Sequence, residues 1–270
     1  MQSLPPLPEW VKLEHKVAQI LTQQEIHGWF FDESSARELE SALRTEYEAI
    51  TEVLRKRFPY VAGAEFTPKR NNGKQGYIEG CTFTRLKEFN PVSRDHISWI
   101  LQIHCGWTPE LLTSTGKAVI DETVLREIGT DIALKFLTLL DLTKQLGMIS
   151  EGVNAWQKLC TKSRIHHYCA TNTATFRCHH RTPNLGQVPS DERFRRLFIA
   201  TPGQRMVAAD LSGIELRMLA HYLARYDGGR YAEILTTGDI HQTNADKIGI
   251  TRRQVKTVTY AFLYLSLIHI

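Results

Sequence analysis

The sequence has no run of 18 apolar residues, which excludes a membrane-spanning helix. Its start is polar and carries Pro5, Pro6 and Pro8, so it has none of the apolar character of a secretory signal peptide. No internal repeat or low-complexity tract appears, so the chain is not a repeat array. Cysteine is scarce and odd in number: five residues, at 81, 105, 160, 169 and 178, with no C-x-x-C pair. Reduced thiols in a cytosolic compartment are the simplest account of that usage. An excess of one charge is also missing. The net charge of +4 and pI near 8.8 permit a polyanionic partner without demanding one. What remains is an ordinary globular composition, 42% hydrophobic and 23% charged over 270 residues, enough for one large or two modest domains.

Taken in order, Leu13, Val17, Ile20 and Leu21 fall at helical spacing up to Gly28. Asp32 is placed to cap a second helix of roughly 25 residues, whose stripe is Ala36, Leu39, Leu43, Tyr47, Ile50 and Leu54 and whose end is Pro59. Glycines 63, 73, 76 and 80 with Pro68 break the periodicity from Pro59 to Phe89, predicting a loop or loose hairpin with a basic tip at Lys69, Arg70 and Lys74. Helix returns after Ser93, a plausible cap, and closes at Gly106; another runs from Asp131 to Leu146 and stops at Gly147. Arg164-Ile165-His166 predicts a short strand, and Pro183, Gly186 and Pro189 predict an extended chain after it. Arg177, Arg181, Arg193, Arg195 and Arg196 crowd that region, with Asn184 and Gln187 between them. Guanidinium and amide groups on extended backbone suit phosphates and groove edges; singly, each arginine is equally at home in a surface ion pair. The patch His166, His167, Cys169, Cys178, His179 and His180 invites a zinc reading, but it shows no recognised ligand spacing.

Val207 to Arg217, V-A-A-D-L-S-G-I-E-L-R, reads as a short apolar strand delivering Asp210, followed by a turn at Ser212-Gly213 and a helix to about Arg225. A carboxylate beside the Leu211 carbonyl suits a hard divalent cation; it equally suits a helix cap. Further on, Thr251-Arg252-Arg253-Gln254 has the form of a capping box, so a helix should begin at Arg252. Arg252, Lys256 and Tyr260 then share one face with Tyr264 at its margin, because steps of four drift only about 40° around a helix. Two cations followed by an aromatic ring match a triphosphate joined to a flat base or sugar. Gly238-Asp239-Ile240-His241 sets an imidazole at another helix start, in reach of a phosphate oxygen.

These two motifs resemble family A DNA polymerases. D-L-S-G-I-E-L-R with L-A-H-Y-L-A-R-Y-D-G-G is similar to the first catalytic motif, and R-R-Q-V-K-T-V-T-Y-A-F-L-Y to the nucleotide-binding helix. L-E-H-K-V-A-Q-I-L-T-Q-Q-E, F-N-P-V-S-R-D-H-I, E-G-V-N-A-W and P-N-L-G-Q-V-P extend the likeness from about Leu13 to Tyr264. It is nearer to the replicative polymerases of short-tailed phages than to bacterial DNA polymerase I.

The resemblance implies a helix-rich α+β chain forming part of a right-hand fold. Residues 1–32 would lead into the palm, 33–165 would be thumb, 166–228 palm with the catalytic motif, and 229–270 the start of the fingers. It implies template-directed addition of deoxynucleotides to a primer 3′-hydroxyl in the host cytoplasm, with two Mg2+ ions in the complete enzyme. Asp210 would bridge the metals and Leu211 would offer its carbonyl; Asp210 and Lys256 would be catalytic. Glu215 would exclude a 2′-hydroxyl, His241, Arg252 and Lys256 would bind phosphates, and Tyr260 would pack on sugar and base. Arg177, Gln187 and Tyr264 would contact DNA.

The departures matter. No His-Asp dipeptide supplies the second carboxylate, Leu265 stands where the pattern has glycine, and Phe176 stands where glycine is expected beside Arg177. The chain is therefore expected to be a fragment, off-pattern over 265–270, without an exonuclease domain and with little or no turnover alone. The short loop at 60–88 gives no ground for expecting a processivity partner. Other readings are a non-catalytic thumb and palm module that grips DNA and, disfavoured by Glu215, a single-subunit RNA polymerase.

Overall fold

The computed structural model describes residues 7–174 and 177–263, so the expectations resting on Phe176 and Tyr264 lie outside the described residues. The chain divides into two compact units, Met1–Met206 and Val207–Ile270.

In the first unit, helix α1 (Glu9–His27) ends at Gly28 as its spacing predicts. Strand β1 (Trp29–Phe31) leads into α2 (Glu33–Arg57), 25 residues long. Asp32 caps α2: its Oδ1 accepts from the Ser34 and Ser35 N–H groups, and its Oδ2 from the Ser35 hydroxyl. These bonds, that from the Ser35 hydroxyl first, hold its carboxyl below the usual range. Arg55, Lys56 and Arg57 close the helix where its dipole favours cations. The predicted loose hairpin is β2 (Tyr60–Phe66) paired antiparallel with β3 (Phe83–Glu88), with the basic tip between them. Then come α3 (Arg94–Cys105), α4 (Glu122–Ile128) and α5 (Asp131–Leu146).

Two details of α3 and α5 depart from the expectation. Ser93 occupies the cap position of α3, but its side chain makes no capping bond. Gly147 does not stop α5: it keeps right-handed helical angles, and the chain widens into a π-helical turn over Gly147–Glu151. Lys158 then binds the Glu151 and Gly152 carbonyls, satisfying oxygens left over at the helix end.

After α6 (Trp156–Leu159), the strands β4 (Cys160–Thr161) and β5 (Arg164–Ile165) join β1 and β8 (Phe198–Ile199) in one antiparallel sheet of order β4-β5-β1-β8. Between β5 and β8 lie the hairpin β6 (Tyr168–Ala170) and β7 (His179–Arg181), a 3-10 turn at Leu185–Gln187 in the stretch predicted to stay extended, and α7 (Glu192–Arg195). Two apolar clusters meet along α2. One gathers Leu54, Phe89, Ile97, Phe136 and Leu139. The other gathers Phe31, Leu43, Leu146, Trp156 and Phe194. The stripe read from α2 supplies both.

The second unit is helical: α8 (Ile214–Asp227), α9 (Arg230–Thr237), α10 (Ile240–Ile248) and α11 (Arg252–Leu263). The strand expected at Val207–Asp210 is not formed. Among the described residues no strand pairs with this stretch, and Val207 is 90% exposed. An isolated extended segment has neither ladder bonds nor a covered face, so its apolar residues alone do not make it a strand.

Candidate nucleotide-binding site

Local signals build the second unit one turn at a time. Gly213 is the N-cap of α8 at φ 58°, a left-handed conformation that glycine adopts without strain. The helix therefore starts at Ile214, four residues beyond Asp210. The Asp210 carboxylate does not cap it, which removes the capping alternative. Among the described residues no hydrogen bond or ion pair engages that carboxylate, and both Asp210 and Leu211 are exposed.

Asp227 turns the chain from α8 into α9 by accepting from the Tyr231 and Gly229 N–H groups, each at 2.9 Å. Those bonds hold its carboxyl below the usual range. It is a turn residue, as its Asp-Gly-Gly context predicts. Asp239 caps α10, its Oδ1 accepting from His241 N at 3.0 Å and Gln242 N at 3.1 Å. The capping box of α11 forms as read: Gln254 Oε1 accepts from Thr251 N at 2.9 Å, and Thr251 Oγ1 accepts from Gln254 N at 3.3 Å. Ile240, Ala245 and Val255 are buried where α10 and α11 pack.

This packing brings four predicted residues to one cavity of about 340 Å³: His241 from α10, and Arg252, Lys256 and Tyr260 from α11. Ser212, Gly213, Leu216 and Arg217 line it from the start of α8, and Asp239 from the cap of α10. Arg252 Nε donates to Asp239 Oδ2 at 2.7 Å. With its other oxygen capping α10, Asp239 is held below the usual carboxylate range, the Arg252 bond being the largest cause. Lys256 is exposed and has no carboxylate partner among the described residues. His241 is 8% exposed, and burial pushes its imidazole down from the ordinary value, with the Arg252 charge adding to the effect. It is therefore neutral near pH 7. Its Nδ1 has no partner among the described residues, and its ring lies 6.1 Å from that of Tyr260.

The cavity thus has three cations, Arg217, Arg252 and Lys256, beside one carboxylate, Asp239, a neutral imidazole and a phenol ring. Cations and N–H groups stabilise phosphate oxygens, and an aromatic face accepts a sugar or base. Glu215 is half-buried in the first turn of α8 but is not among the cavity's lining residues. Asp210 and Leu211 do not line it either. Arg177 and Gln187 are exposed in the first unit, Gln187 at the end of the 3-10 turn.

Two contributors escape a reading of the sequence. Arg217 bonds the Ser212 carbonyl at 2.8 Å and lines the cavity; its spacing of four from Gly213 was the available signal. Asp239 is legible as a cap but not as the partner of Arg252, since no periodicity links residues on separate helices.

Comparison with known proteins identifies the family. The model of DNA polymerase family A matches residues 69–266. The DNA-directed DNA polymerase of Escherichia phage T7 is 31% identical over 320 residues, covering 95% of this chain and 45% of that protein. The corresponding polymerase of Enterobacteria phage T3 is 32% identical with the same coverage. DNA polymerase I of Chloroflexus aurantiacus is 31% identical over 273 residues, covering 94% of this chain and 26% of that protein. The chain thus spans less than half the length of these relatives. Among solved structures, the POL domain of Pol1 from M. smegmatis, in complex with DNA primer-template and dNTP, superimposes with a TM-score of 0.67. It is 21% identical and covers 90% of this chain and 40% of that one, a likeness of fold. The chain belongs to DNA polymerase family A.

Proposed function

We propose that this chain forms the thumb, part of the palm and the first finger helices of a DNA-directed DNA polymerase, and that the cavity of the second unit receives the incoming deoxynucleoside triphosphate. The thumb would be residues 33–165, the palm 166–228 and the fingers from 229. The observation that carries the proposal is the convergence of His241, Arg252, Lys256 and Tyr260 on one cavity. A module that only grips duplex DNA has no use for a pocket of about 340 Å³ lined by cations and an aromatic ring.

In this reading Lys256 and Arg252 contact the β- and γ-phosphates and neutralise charge moving onto pyrophosphate. Neutral His241 donates one hydrogen bond to a phosphate oxygen, and Tyr260 packs on the sugar or base. Glu215, on the first turn of α8, opposes a 2′-hydroxyl. Arg177, Gln187 and Tyr264 contact the primer–template.

A divalent metal fits the donors available in kind. Asp227 and Asp239 are engaged by N–H groups and Arg252, while Asp210 is unengaged and stands beside the Leu211 carbonyl. These are hard oxygen donors, suited to magnesium. Asp210 and Leu211 would hold it, and when bound it supplies charge stabilisation to the attacking and leaving oxygens. Among the described residues no helix is long and apolar enough to cross a membrane, and the site of action would be the host cytoplasm.

The test is titration of the 270-residue chain with a fluorescent deoxynucleoside triphosphate. A charge-assisted phosphate contact contributes about 1.5–3 kcal/mol, so Lys256→Ala should weaken binding at least tenfold. Unaltered affinity in that variant would remove the cavity from the mechanism.

A further inference from the structure

The hairpin β6–β7 has two unlike faces. Cys169 stands opposite His180, and Tyr168 opposite Arg181. Side chains alternate along each strand, so His167, Cys169, Cys178 and His180 project from one face, while Tyr168, His179 and Arg181 project from the other. The second face is filled by ring contacts, with Arg181 stacked 4.0 Å over Tyr168.

On the first face the side chains turn toward one another. His167 Nε2 lies 3.1 Å from His180 Nδ1, and the ligand atoms of His167, Cys169 and His180 all lie within 4.8 Å of one another. Cys178 lies outside that three-residue group, on the same face; after burial, its neighbouring thiol is the next cause that pushes Cys169 up to about 11. His167 and Cys169 are buried, and His180 is half-buried. Zinc bonds of about 2.0–2.1 Å to nitrogen and 2.3 Å to sulfur place tetrahedral ligand atoms roughly 3.3–3.8 Å apart, the scale of this cluster.

We propose that His167, Cys169, Cys178 and His180 bind one zinc ion tetrahedrally and so staple the hairpin. Two nitrogens and two sulfurs form a borderline-soft set that prefers zinc to magnesium. The site is therefore chemically distinct from anything Asp210 would hold, and it does not rest on the polymerase reading. Its pattern is H-x-C running into one strand and C-x-H running into the next. Each pair joins the residue just before a strand to the second residue of that strand, so the C-x-x-C signature of a zinc knuckle is absent. Binding would release the thiol protons to solvent, since zinc is ligated by thiolates. The consequence is mechanical: a hairpin of two three-residue strands, with Arg177 immediately before Cys178, is held by a metal.

The experiment is metal analysis and cobalt substitution of the intact reduced chain. After purification with zinc and dialysis, about one zinc per chain should remain, and cobalt should give thiolate charge-transfer and tetrahedral visible bands. Excess magnesium should leave those bands unchanged. Cys178→Ser alters an exposed residue, so the fold should survive; with one of two thiolates gone, the charge-transfer intensity should fall to about half. His180→Gln should abolish tight binding while far-UV circular dichroism stays as in the wild type. A chain that retains no zinc and gives no cobalt bands overturns the proposal. So do cobalt bands that persist at full intensity in both variants.

Discussion

Asp239 and Arg252 are joined by a 2.7 Å bond across two helices, while the other oxygen of Asp239 caps α10. One carboxylate thus starts one helix and holds the guanidinium of the next beside the cavity. It also sets a negative charge next to the proposed triphosphate. Asp239→Asn keeps a capping oxygen but removes that charge and frees Arg252. Freeing an arginine costs at most about 2 kcal/mol of ordering when it binds. Against this, each phosphate charge gains on the order of 1 kcal/mol at close range in a watery site. Several phosphate charges outweigh one side chain, so at low salt the variant should bind a deoxynucleoside triphosphate severalfold more tightly than the wild type. The gain should fade as salt is raised toward 1 M, where the screening length is about 3 Å. Titrations at two salt concentrations check this, and weaker binding at both would show that orientation of Arg252 dominates.

His241 gives the second unit a pH dependence of known sign. Burial lowers its pKa in the folded state, with Arg252 and Lys256 acting in the same direction and Asp239 opposing them. The unfolded chain therefore takes up a proton near pH 6.5 that the folded unit still refuses. Stability is complete above that value and falls as pH drops through it toward the folded pKa. All five tryptophans, Trp10, Trp29, Trp99, Trp107 and Trp156, lie before residue 207, so their fluorescence reports the first unit. Protection factors of the α10 and α11 amides, which divide out the base-catalysed slowing of intrinsic exchange at lower pH, should fall between pH 7.5 and 5.5, and His241→Gln should flatten that fall. An exchange profile in the variant that keeps the full pH dependence would assign it to another group.

What the sequence discloses follows the range of each interaction. The cap and stripe of α2 are written in consecutive turns of one helix, and Asp32 with Leu43 and Leu54 fulfils them. The Thr251–Gln254 box is likewise complete within four residues, which is why the face of α11 carrying Arg252, Lys256 and Tyr260 was legible before any geometry. Val207–Asp210 shows the opposite case: strand character depends on a partner, and a run of apolar residues does not name one. The Asp239–Arg252 bond and the His167–His180 contact are also non-local. The first needs the α10–α11 packing angle, and the second needs the register that sets Cys169 against His180.

The first unit should depend most on Phe136, which is fully buried in α5 and meets Phe89 edge-on at a 6.2 Å ring separation. Phe136→Ala should cost about 3–5 kcal/mol through lost burial and the cavity left behind. Asp32→Ala should cost about 1 kcal/mol, the worth of a side-chain cap. The folded pKa of Asp32 is lowered, so its contribution is present above the unfolded value near 4 and is lost as pH falls through the folded one. Urea titrations followed by tryptophan fluorescence at pH 7 should rank the two variants in that order. A reversed ranking would mean that the apolar cluster collapses around the missing ring.

Asp210 is the carboxylate on which the metal reading turns, and its exposure makes the test clean. Nothing among the described residues leans on its side chain, so Asp210→Asn should leave folding within about 0.5 kcal/mol of the wild type, as expected of a surface substitution. Its effect should appear only when metal and triphosphate are both present. In the wild-type chain, Mn2+ used as a paramagnetic stand-in for Mg2+ should bind more tightly once a deoxynucleoside triphosphate fills the cavity, because phosphate oxygens and the Asp210 carboxylate share the ion. Asp210→Asn replaces a charged oxygen by a neutral amide and should remove most of that coupling, while metal-free triphosphate binding to Arg252 and Lys256 stays as it was. Equal coupling in wild type and variant would show that the phosphates alone recruit the ion and would take Asp210 out of the metal site.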